Sequence, residues 1–465
     1  MRRYAAAAVL FLTLSSPMWA QWSSDPSKNL PLADNNNGSD QVQPKVVRFG
    51  AYGGYVSWFD ANPQSPPPVG YSVYYQSLTE YGYERYRHGG VEVANLSNSS
   101  TEDYGLDVDH QGNALLAFLD TREGDNQQVT AAKMSPYGQP LWGTLGVQLT
   151  NDSASHAAPK IAATTDGGIV VAWTSDTNVV AQKLNAQGQP QWGSGVVFSQ
   201  AGYDFLLADL HAADNGSVVI SWVRNKGFGS NNILFANKIS SSATLLWGGN
   251  NVQLFTNGSL QFGNFPYFVP DGNGGAVFAW YTNGPTLQCY AQHLLADGTA
   301  AFPAGGSPVS ANGTNVRVSP SAGYRASTNE VFVFWTEEDS NQILNGVYGQ
   351  KFNSTGAPQW GADGIAFVNL GADQQEFVTT VQASDGAFVF WVDSVGFGDS
   401  TIQGMRVTDW GAVACSQTVS STPSNKARLV ATAAGGSAAL FWQDDRIGNN
   451  GIYAQDMLSN CKLGL

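Results

Sequence analysis

Charged side chains are scarce in this sequence, at 12 % of its 465 residues, against about 25 % in an average soluble domain. With 22 Lys and Arg against 36 Asp and Glu, the formal net charge is −14. Nucleic acids and anionic membrane surfaces are bound through clusters of Lys and Arg, so we expect neither as a partner. Disorder is excluded as well, because aromatic residues reach 12 % and disordered chains contain few of them.

Long apolar segments are missing after the N-terminus. Arg2 and Arg3 precede an apolar stretch over residues 5–14, and the small residue Ala20 follows it. This order is typical of a secretory signal peptide, which we predict at residues 1–20, with cleavage before Gln21. The stretch is too short to span a membrane, and no cysteine near the cleavage point could carry a lipid. We therefore expect a secreted or periplasmic protein without a membrane anchor.

Cysteine is also scarce, with three residues, Cys289, Cys415 and Cys461. Their separations match no metal-ligand motif. Cys289 lies in an apolar, strand-like run, which predicts a buried thiol. The other two are candidates for a disulfide, because an exported protein can form one.

What the sequence does contain is an internal repeat. A strand-like apolar run that ends in an aromatic residue occurs eight times. Another strand-like run and a turn rich in Gly, Asp or Asn precede it. The closing aromatic residues, called the anchors below, are Trp58, Phe118, Trp173, Trp222, Trp280, Trp335, Trp391 and Trp442. The runs are apolar on both faces, which is typical of strands that are covered on both sides.

A second half of the repeat follows each anchor. After a loop of variable length comes a third strand with a side-chain amide, then a glycine six residues on, and an aromatic residue four residues beyond it. Unit three shows the full order, with Gln182, Gly188 and Trp192. The amides of the six units that carry one are Gln76, Gln182, Asn237, Gln292, Gln350 and Gln455. A short fourth strand ends each unit, whose length is roughly 55 residues.

Four antiparallel strands per unit, repeated eight times, predict an all-β protein: an eight-bladed β-propeller of four-stranded antiparallel blades. The last unit stops before its fourth strand, and residues 21–35 resemble the missing piece. We predict that this N-terminal segment completes the last blade and closes the ring, which removes open sheet edges. Residues 21–465 would then form a single propeller domain, and we expect a monomer.

The repeat also brings two cysteines to comparable places. Cys415 occupies the aromatic position of unit seven, and Cys461 occupies the glycine position of unit eight. Both positions lie at the same rim of neighbouring blades, so we predict a Cys415–Cys461 disulfide that fastens the terminal blade.

The units resemble a repeat of secreted bacterial β-propellers, most of which have no assigned role. Its pattern is Trp-x-Asp-x-Arg, a Gly/Asn loop, Ile-Tyr-Ala-Gln, then a Gly and a Trp four residues on. Unit eight matches the front of this pattern with Trp442, Asp444 and Arg446, whereas Phe118 and Met405 depart from it in units two and seven. The resemblance covers nearly all of residues 21–465 and implies the propeller fold, but it implies no activity.

Five units carry an acidic residue two positions after the anchor. These residues, called the rim carboxylates below, are Asp60, Asp120, Glu337, Asp393 and Asp444. Together with Arg122 and Arg446, they are candidates for binding a polar ligand or a divalent cation such as calcium, since hard cations take oxygen ligands. In the alternative interpretation, each carboxylate caps loop amides within its own blade. The regular repetition favours this local role, because a single site would need different residues in different blades.

Catalytic patterns are missing. The sequence has no Gly-x-Ser-x-Gly motif, no phosphate-binding Gly-Lys-Ser/Thr loop and no paired histidines. A sialidase-like propeller would need an arginine cluster, and the arginines here do not coincide between units. We expect an exported, non-enzymatic binding or scaffold module without an obligatory cofactor, whose variable loops on one face bind a protein or carbohydrate. The alternative is a glycan-active hydrolase or lyase with its site at the ring centre.

Overall fold

The computed structural model describes residues 22–35, 38–48, 53–61, 70–94, 103–122, 126–227, 229–284 and 286–464. The signal peptide predicted at residues 1–20 lies outside this range. Within it, the one helical element is a short 3-10 turn at Asp214–Gly216. No helix of the described residues has the length and apolar character needed to cross a membrane.

The described residues form β-strands that follow one another in the order predicted from the repeat. The strands are β1 Leu30–Ala33, β2 Gln41–Arg48, β3 Gly54–Ala61, β4 Tyr71–Leu78, β5 Val91–Glu92, β6 Gly105–Val108, β7 Ala114–Asp120, β8 Gln128–Met134, β9 Val147–Gln148, β10 His156–Ala163, β11 Ile169–Ser175, β12 Asn178–Leu184, β13 Val196–Phe198, β14 Asp204–Ala212, β15 Val218–Asn225, β16 Ile233–Ile239, β17 Val252–Gln253, β18 Phe268–Pro270, β19 Ala276–Tyr281, β20 Cys289–Leu294, β21 Ser307–Pro308, β22 Val316–Arg325, β23 Glu330–Glu338, β24 Asn345–Phe352, β25 Ile365–Gly371, β26 Gln374–Ala383, β27 Gly386–Gly396, β28 Asp399–Thr408, β29 Val413–Ser424, β30 Lys426–Ala434, β31 Ser437–Asp444 and β32 Gly451–Leu458.

These strands form eight four-stranded antiparallel sheets, the blades of a propeller. Blades one to seven are β2–β5, β6–β9, β10–β13, β14–β17, β18–β21, β22–β25 and β26–β29, and blade eight consists of β30, β31, β32 and β1. The first strand of each blade is the innermost one and packs against the first strands of the two neighbouring blades. The predicted eight-bladed fold is therefore confirmed.

The N-terminal segment completes blade eight, as predicted. Strand β1 pairs antiparallel with β32, with Leu30 opposite Ala454. The Gln455 amide donates to the Ser23 carbonyl at 3.1 Å, and the buried Trp22 donates its indole N–H to the Glu80 carbonyl of blade one at 2.8 Å. The ends of the chain thus close the ring between blades eight and one.

The core lies between blades rather than inside any one of them. One apolar cluster, for example, joins Ala172 and Val179 of blade three to Leu207 and Trp222 of blade four. Trp222 is fully buried, as are the anchors Trp58, Trp280, Trp335 and Trp442. Because each blade is covered on both faces by its neighbours, its central strand has to be apolar on both sides.

The amide, glycine and aromatic positions of the repeat form an inter-blade latch. In blade three, the side-chain amide oxygen of Gln182 accepts the Trp192 backbone N–H at 2.9 Å, and the Trp192 indole donates to the Ser241 backbone carbonyl of blade four at 3.0 Å. The repeated glycine lets the aromatic side chain of the preceding blade come close to the backbone. A Cβ on Gly298 of blade five, which has a φ of +83°, would lie 2.5 Å from the Trp247 side chain of blade four. These repeated residues are therefore structural.

Blades seven and eight are joined at the same position by a disulfide. Cys415 and Cys461 are bonded, with a Cα–Cα distance of 5.9 Å, at the places where other blade pairs have an aromatic residue and a glycine. Cys289 is free and buried, and burial raises the pKa of its thiol well above the ordinary value.

Candidate functional site

The innermost strands place one residue each at an equivalent height in the central channel. These residues lie opposite the residue before the anchor, as Lys45 lies opposite Ser57. Called the inner layer below, they are Lys45, Gly105, Lys160, Asp209, Tyr267, Ser321, Thr379 and Val430; the position of Tyr267 follows from that of Phe268 next to it. Blades one to five thus supply charged and aromatic side chains, except for the glycine, and blades six to eight supply Ser, Thr and Val.

A β-bulge precedes the inner layer in six of these strands. Five of the six bulges contain a non-glycine residue in the left-handed region, which costs free energy in the backbone. These residues are Gln43, Ala158, Ser319, Phe377 and Arg428, with φ between 47° and 60°. Bulges redirect the side chains that follow them, and here they come just before the residues that meet at the channel mouth.

Asp103 is the hub of a charged cluster in the channel. It lies just before β6 in blade two and pairs with Lys45 of blade one at 2.5 Å and with Lys160 of blade three. Tyr267 of blade five donates its hydroxyl to the same carboxylate at 3.0 Å. Since blades two and five are three positions apart in a ring of eight, this hydrogen bond crosses the channel.

The tyrosine ring is held by the same two cations. Its centroid lies 4.8 Å from the Lys160 ammonium and 5.9 Å from that of Lys45, both within cation–π distance. Close packing of blades two and three depends on Gly105, where a Cβ would lie 2.7 Å from the Ile161 backbone nitrogen. Despite these contacts, Tyr267 is 61 % exposed.

The ion pairs decide the charge states in this cluster. Burial would raise the pKa of Asp103, but Lys45 and Lys160 hold it well below the ordinary value. Burial likewise opposes the charged form of Lys160, and Asp103 reverses this and raises the pKa. Both groups are therefore charged at neutral pH.

A carboxylate–histidine pair, Asp209 and His211, lies beside this cluster on β14. The His211 ring, whose side chain is 42 % exposed, lies 3.0 Å from Asp209. Asp209 also accepts the Phe268 backbone N–H of blade five at 3.0 Å. Burial would raise the pKa of Asp209, but His211 and Lys160 lower it. Desolvation lowers the pKa of His211, but the carboxylates of Asp209 and Asp107 outweigh this effect and raise it.

Asp107 on β6 links blade two to blade three by hydrogen bonds. It accepts the backbone N–H groups of Val108 at 2.8 Å and of Ala163 at 2.7 Å. Burial nevertheless raises the pKa of Asp107. The two channel carboxyls Asp107 and Asp209 thus have pKa shifts of opposite sign.

The rim carboxylates of three blades are buried beside cations of their own blade. Arg122 binds Asp120 through Nε and Nη2, both at 3.0 Å. Asp444 accepts from the Trp442 indole at 2.9 Å and pairs with Arg446 at 2.5 Å.

Glu337 of blade six follows the same arrangement. It pairs with Arg317 at 2.9 Å and accepts from the Trp335 indole at 2.7 Å. In all three blades the carboxylate fixes the anchor or the loop that follows it.

The other two rim carboxylates have amide partners instead. Asp393 accepts from Gln375 at 2.8 Å, and Asp60 accepts from Asn35 at 3.4 Å and from Gln41 at 3.5 Å. Burial raises the pKa of both, that of Asp60 to about 6. In the part of the chain that the structure describes, no three His, Cys, Asp or Glu residues come together to hold a metal. The rim residues are partnered separately, as the local interpretation expects.

Sequence reasoning missed the channel cluster. Lys45, Asp103, Lys160, Asp209 and Tyr267 occur once each and follow no repeated pattern. The sequence offered one signal for these residues, which is that charged side chains such as Lys160 interrupt otherwise apolar inner strands.

Comparisons with known proteins identify the fold and nothing finer. No family model matches the sequence, and no curated protein matches it. Among solved structures, the Dos1 propeller aligns over 92 % of this chain and 95 % of its own, with a TM-score of 0.52 and 11 % identity. At this identity the likeness shows the propeller fold alone.

Two further solved structures are less similar. An α-L-arabinanase of Penicillium chrysogenum aligns over 70 % of this chain and 98 % of its own, with a TM-score of 0.39 and 12 % identity. Prolyl oligopeptidase B of Galerina marginata aligns over 88 % of this chain and 55 % of its own, with a TM-score of 0.45 and 11 % identity.

Proposed function

We propose that this chain is an exported, non-catalytic binding module that holds a carbohydrate at the channel mouth. The observation that carries this proposal is the exposed ring of Tyr267, fixed across the channel by Asp103, Lys45 and Lys160. A rigid aromatic face suits the apolar face of a sugar ring, and fixed polar groups beside it suit the sugar hydroxyls. The ligand would therefore meet the inner layer of blades one to five rather than the rim carboxylates.

The hydrogen bonds of the channel carboxylates favour binding over catalysis. Asp103 is neutralised by two lysines, and Asp107 and Asp209 accept backbone N–H groups of the next blade. A general acid or base has to exchange a proton with the substrate at low cost, which carboxylates tied into blade packing do poorly. Their geometry suits a preformed site in which nothing has to move.

A glycan array on residues 21–465, followed by calorimetric titration of the best ligand, tests the proposal. Tyr267→Ala removes the stacking surface, so we expect affinity to fall about tenfold or more. Tyr267→Phe keeps the ring and loses only the bond to Asp103, and should bind nearly as well as the wild type. The matched control is Tyr137→Ala, since Tyr137 is 85 % exposed in a turn at the other end of the blades. Array-wide absence of binding, or equal effects at both tyrosines, would refute the proposal.

A second candidate function is glycan hydrolysis at the same place. It is favoured by the opposite pKa shifts of Asp107 and Asp209, because such pairs divide acid and base roles. The test is release of reducing ends from a polysaccharide panel by the wild type and by Asp107→Asn. Release that Asp107→Asn abolishes would establish the hydrolase, and no release by the wild type would leave the binding module.

A further inference from the structure

Six blades carry a carboxylate–base pair at the turn between their first and second strands. The base directly follows the position of the repeated amide, or of its replacement, on the third strand. The pairs are Asp109–Lys133, Asp166–Lys183, Asp214–Lys238, Asp271–His293, Glu330–Lys351 and Asp385–Arg406. This end of the propeller is opposite to the channel mouth, because the innermost strands finish here.

Blade eight reverses this arrangement. Asp456 follows Gln455 and stands where blades two to seven have a base, and the turn of blade eight, Ala434 to Ser437, contains no carboxylate. The Asp456 side chain is buried, with the whole residue 1 % exposed. One carboxylate oxygen accepts from the Ser437 hydroxyl at 2.7 Å. No described residue donates to the other oxygen, Oδ2.

An unpartnered carboxylate oxygen in this place needs a physical explanation. A buried polar atom without a hydrogen bond costs free energy, and a buried carboxylate without a cation costs more. Burial raises the pKa of Asp456 to about 7, so the group is charged in alkaline solution and partly charged at neutral pH. The six other blades show what chemistry satisfies a carboxylate here: the Lys133 ammonium, for example, lies 2.8 Å from Asp109.

Asp456 lines a narrow pocket between blades eight and one. The pocket, called the seam pocket below, has a cavity volume of about 40 Å³. Its walls include the side chains of Trp22, Val46, Leu78, Ala439 and Phe441, so they are largely apolar. Glu80 is the second acidic residue of the lining.

We propose that the seam pocket binds a primary ammonium group on an unbranched apolar chain, with the ammonium at Oδ2 of Asp456. The ligand supplies a cation at the position where blades two to seven have a base. Its methylene groups cover the apolar walls, as the stem of a lysine does on a protein surface. The narrow pocket favours an unbranched chain over a bulky one. The chemistry is shared by a free alkylamine and by a lysine side chain of a peptide.

The site is tested on residues 21–465 by thermal shift and calorimetric titration at pH 8 with n-butylammonium and with Nα-acetyl-lysine N-methylamide. n-Butanol, which lacks the charge, and tert-butylammonium, which lacks the slim chain, are the ligand controls. Asp456→Asn keeps the bond from Ser437 and removes the charge, and Glu80→Gln removes the other carboxylate of the lining.

We expect saturable binding of at least one of the two amines to the wild type and to Glu80→Gln, and at least tenfold weaker binding to Asp456→Asn. Binding of n-butylammonium would point to a free amine, and binding of the lysine derivative alone to a peptide. Equal binding to Asp456→Asn, or no saturable binding of either amine, would overturn the proposal. Neither result bears on the sugar site, which lies at the other end of the blades.

Discussion

The rim carboxylates of three blades and the carboxylate of the channel cluster are paired with cations, but they have different roles. Asp120 and Asp444 recur at one position of the repeat, are fully buried, and pair with an arginine of their own blade. Asp103 occurs once and gathers residues from blades one, three and five. In a molecule of repeats, a residue that recurs serves each repeat separately. A residue that occurs once can join different repeats into one site.

The largest expected effect is the removal of a rim carboxylate. Asp444→Ala leaves Arg446 and the fully buried Lys426 without their carboxylate. Breaking a buried ion pair costs about 3–5 kcal/mol, and we expect a loss of that size in urea-induced unfolding, with glycan binding of the folded protein unchanged. Asp393→Ala is the matched control, because Asp393 faces an amide rather than a cation, and its cost should be smaller. A loss for Asp444→Ala below about 1 kcal/mol would show that its pair is not a structural one.

Removal of the channel hub should cost less stability than removal of a buried rim carboxylate. We expect Asp103→Asn to lose about 2–3 kcal/mol at pH 7, since two lysines lose their counter-charge and the site is partly solvated. The folded-state pKa of Asp103 lies below its ordinary value, so its contribution is present above about pH 4 and is lost as the pH falls further. The stability difference between wild type and Asp103→Asn should therefore shrink from pH 7 to pH 3. A difference that is constant over this range would contradict the ion-pair explanation.

Asp60 tests the comparison within the rim, because its described hydrogen-bond partners are the amides of Asn35 and Gln41 rather than a cation. Its folded-state pKa is raised from 3.8 to about 6, so the protonated form is favoured and the stability contribution is lost as the pH rises through 6. Asp60→Asn does not titrate and should be more stable than the wild type by about 1–2 kcal/mol at pH 8, with the gain vanishing near pH 4. Thermal unfolding at the two pH values measures this. A destabilised Asp60→Asn at pH 8 would mean that the carboxylate has a partner which the amide cannot replace.

The fold could be predicted from the sequence because its residues act locally and recur. The recurring spacing of Gly188 and Trp192 predicts the turn and the short strand that end each unit, and the same spacing places Cys415 against Cys461 and the N-terminal strand beside β32. The channel site could not be predicted in this way. Tyr267 and Asp103 are 164 residues apart, and their contact depends on ring closure, on the bulges in neighbouring strands and on Gly105. No spacing within a single unit contains that information.

Substitutions in the two halves of the inner layer should have small effects on the free energy of unfolding. Their effects on glycan affinity should differ strongly. Thr379 of blade seven occupies the position of Lys160, and its one hydroxyl proton is shared between the backbone carbonyls of Phe377 and Leu429, at 3.0 Å and 3.2 Å. Thr379→Val should cost about 1 kcal/mol or less and leave glycan affinity within about twofold of the wild type. Lys160→Met, in the half with the exposed tyrosine, should weaken binding about tenfold or more, because the lysine holds both Asp103 and the tyrosine ring. Calorimetric titration of both variants decides between an asymmetric site and a ring that contacts its ligand all round. If Thr379→Val weakens binding as much as Lys160→Met, the ligand fills the whole channel, and the one-off residues of blades one to five do not define the site alone.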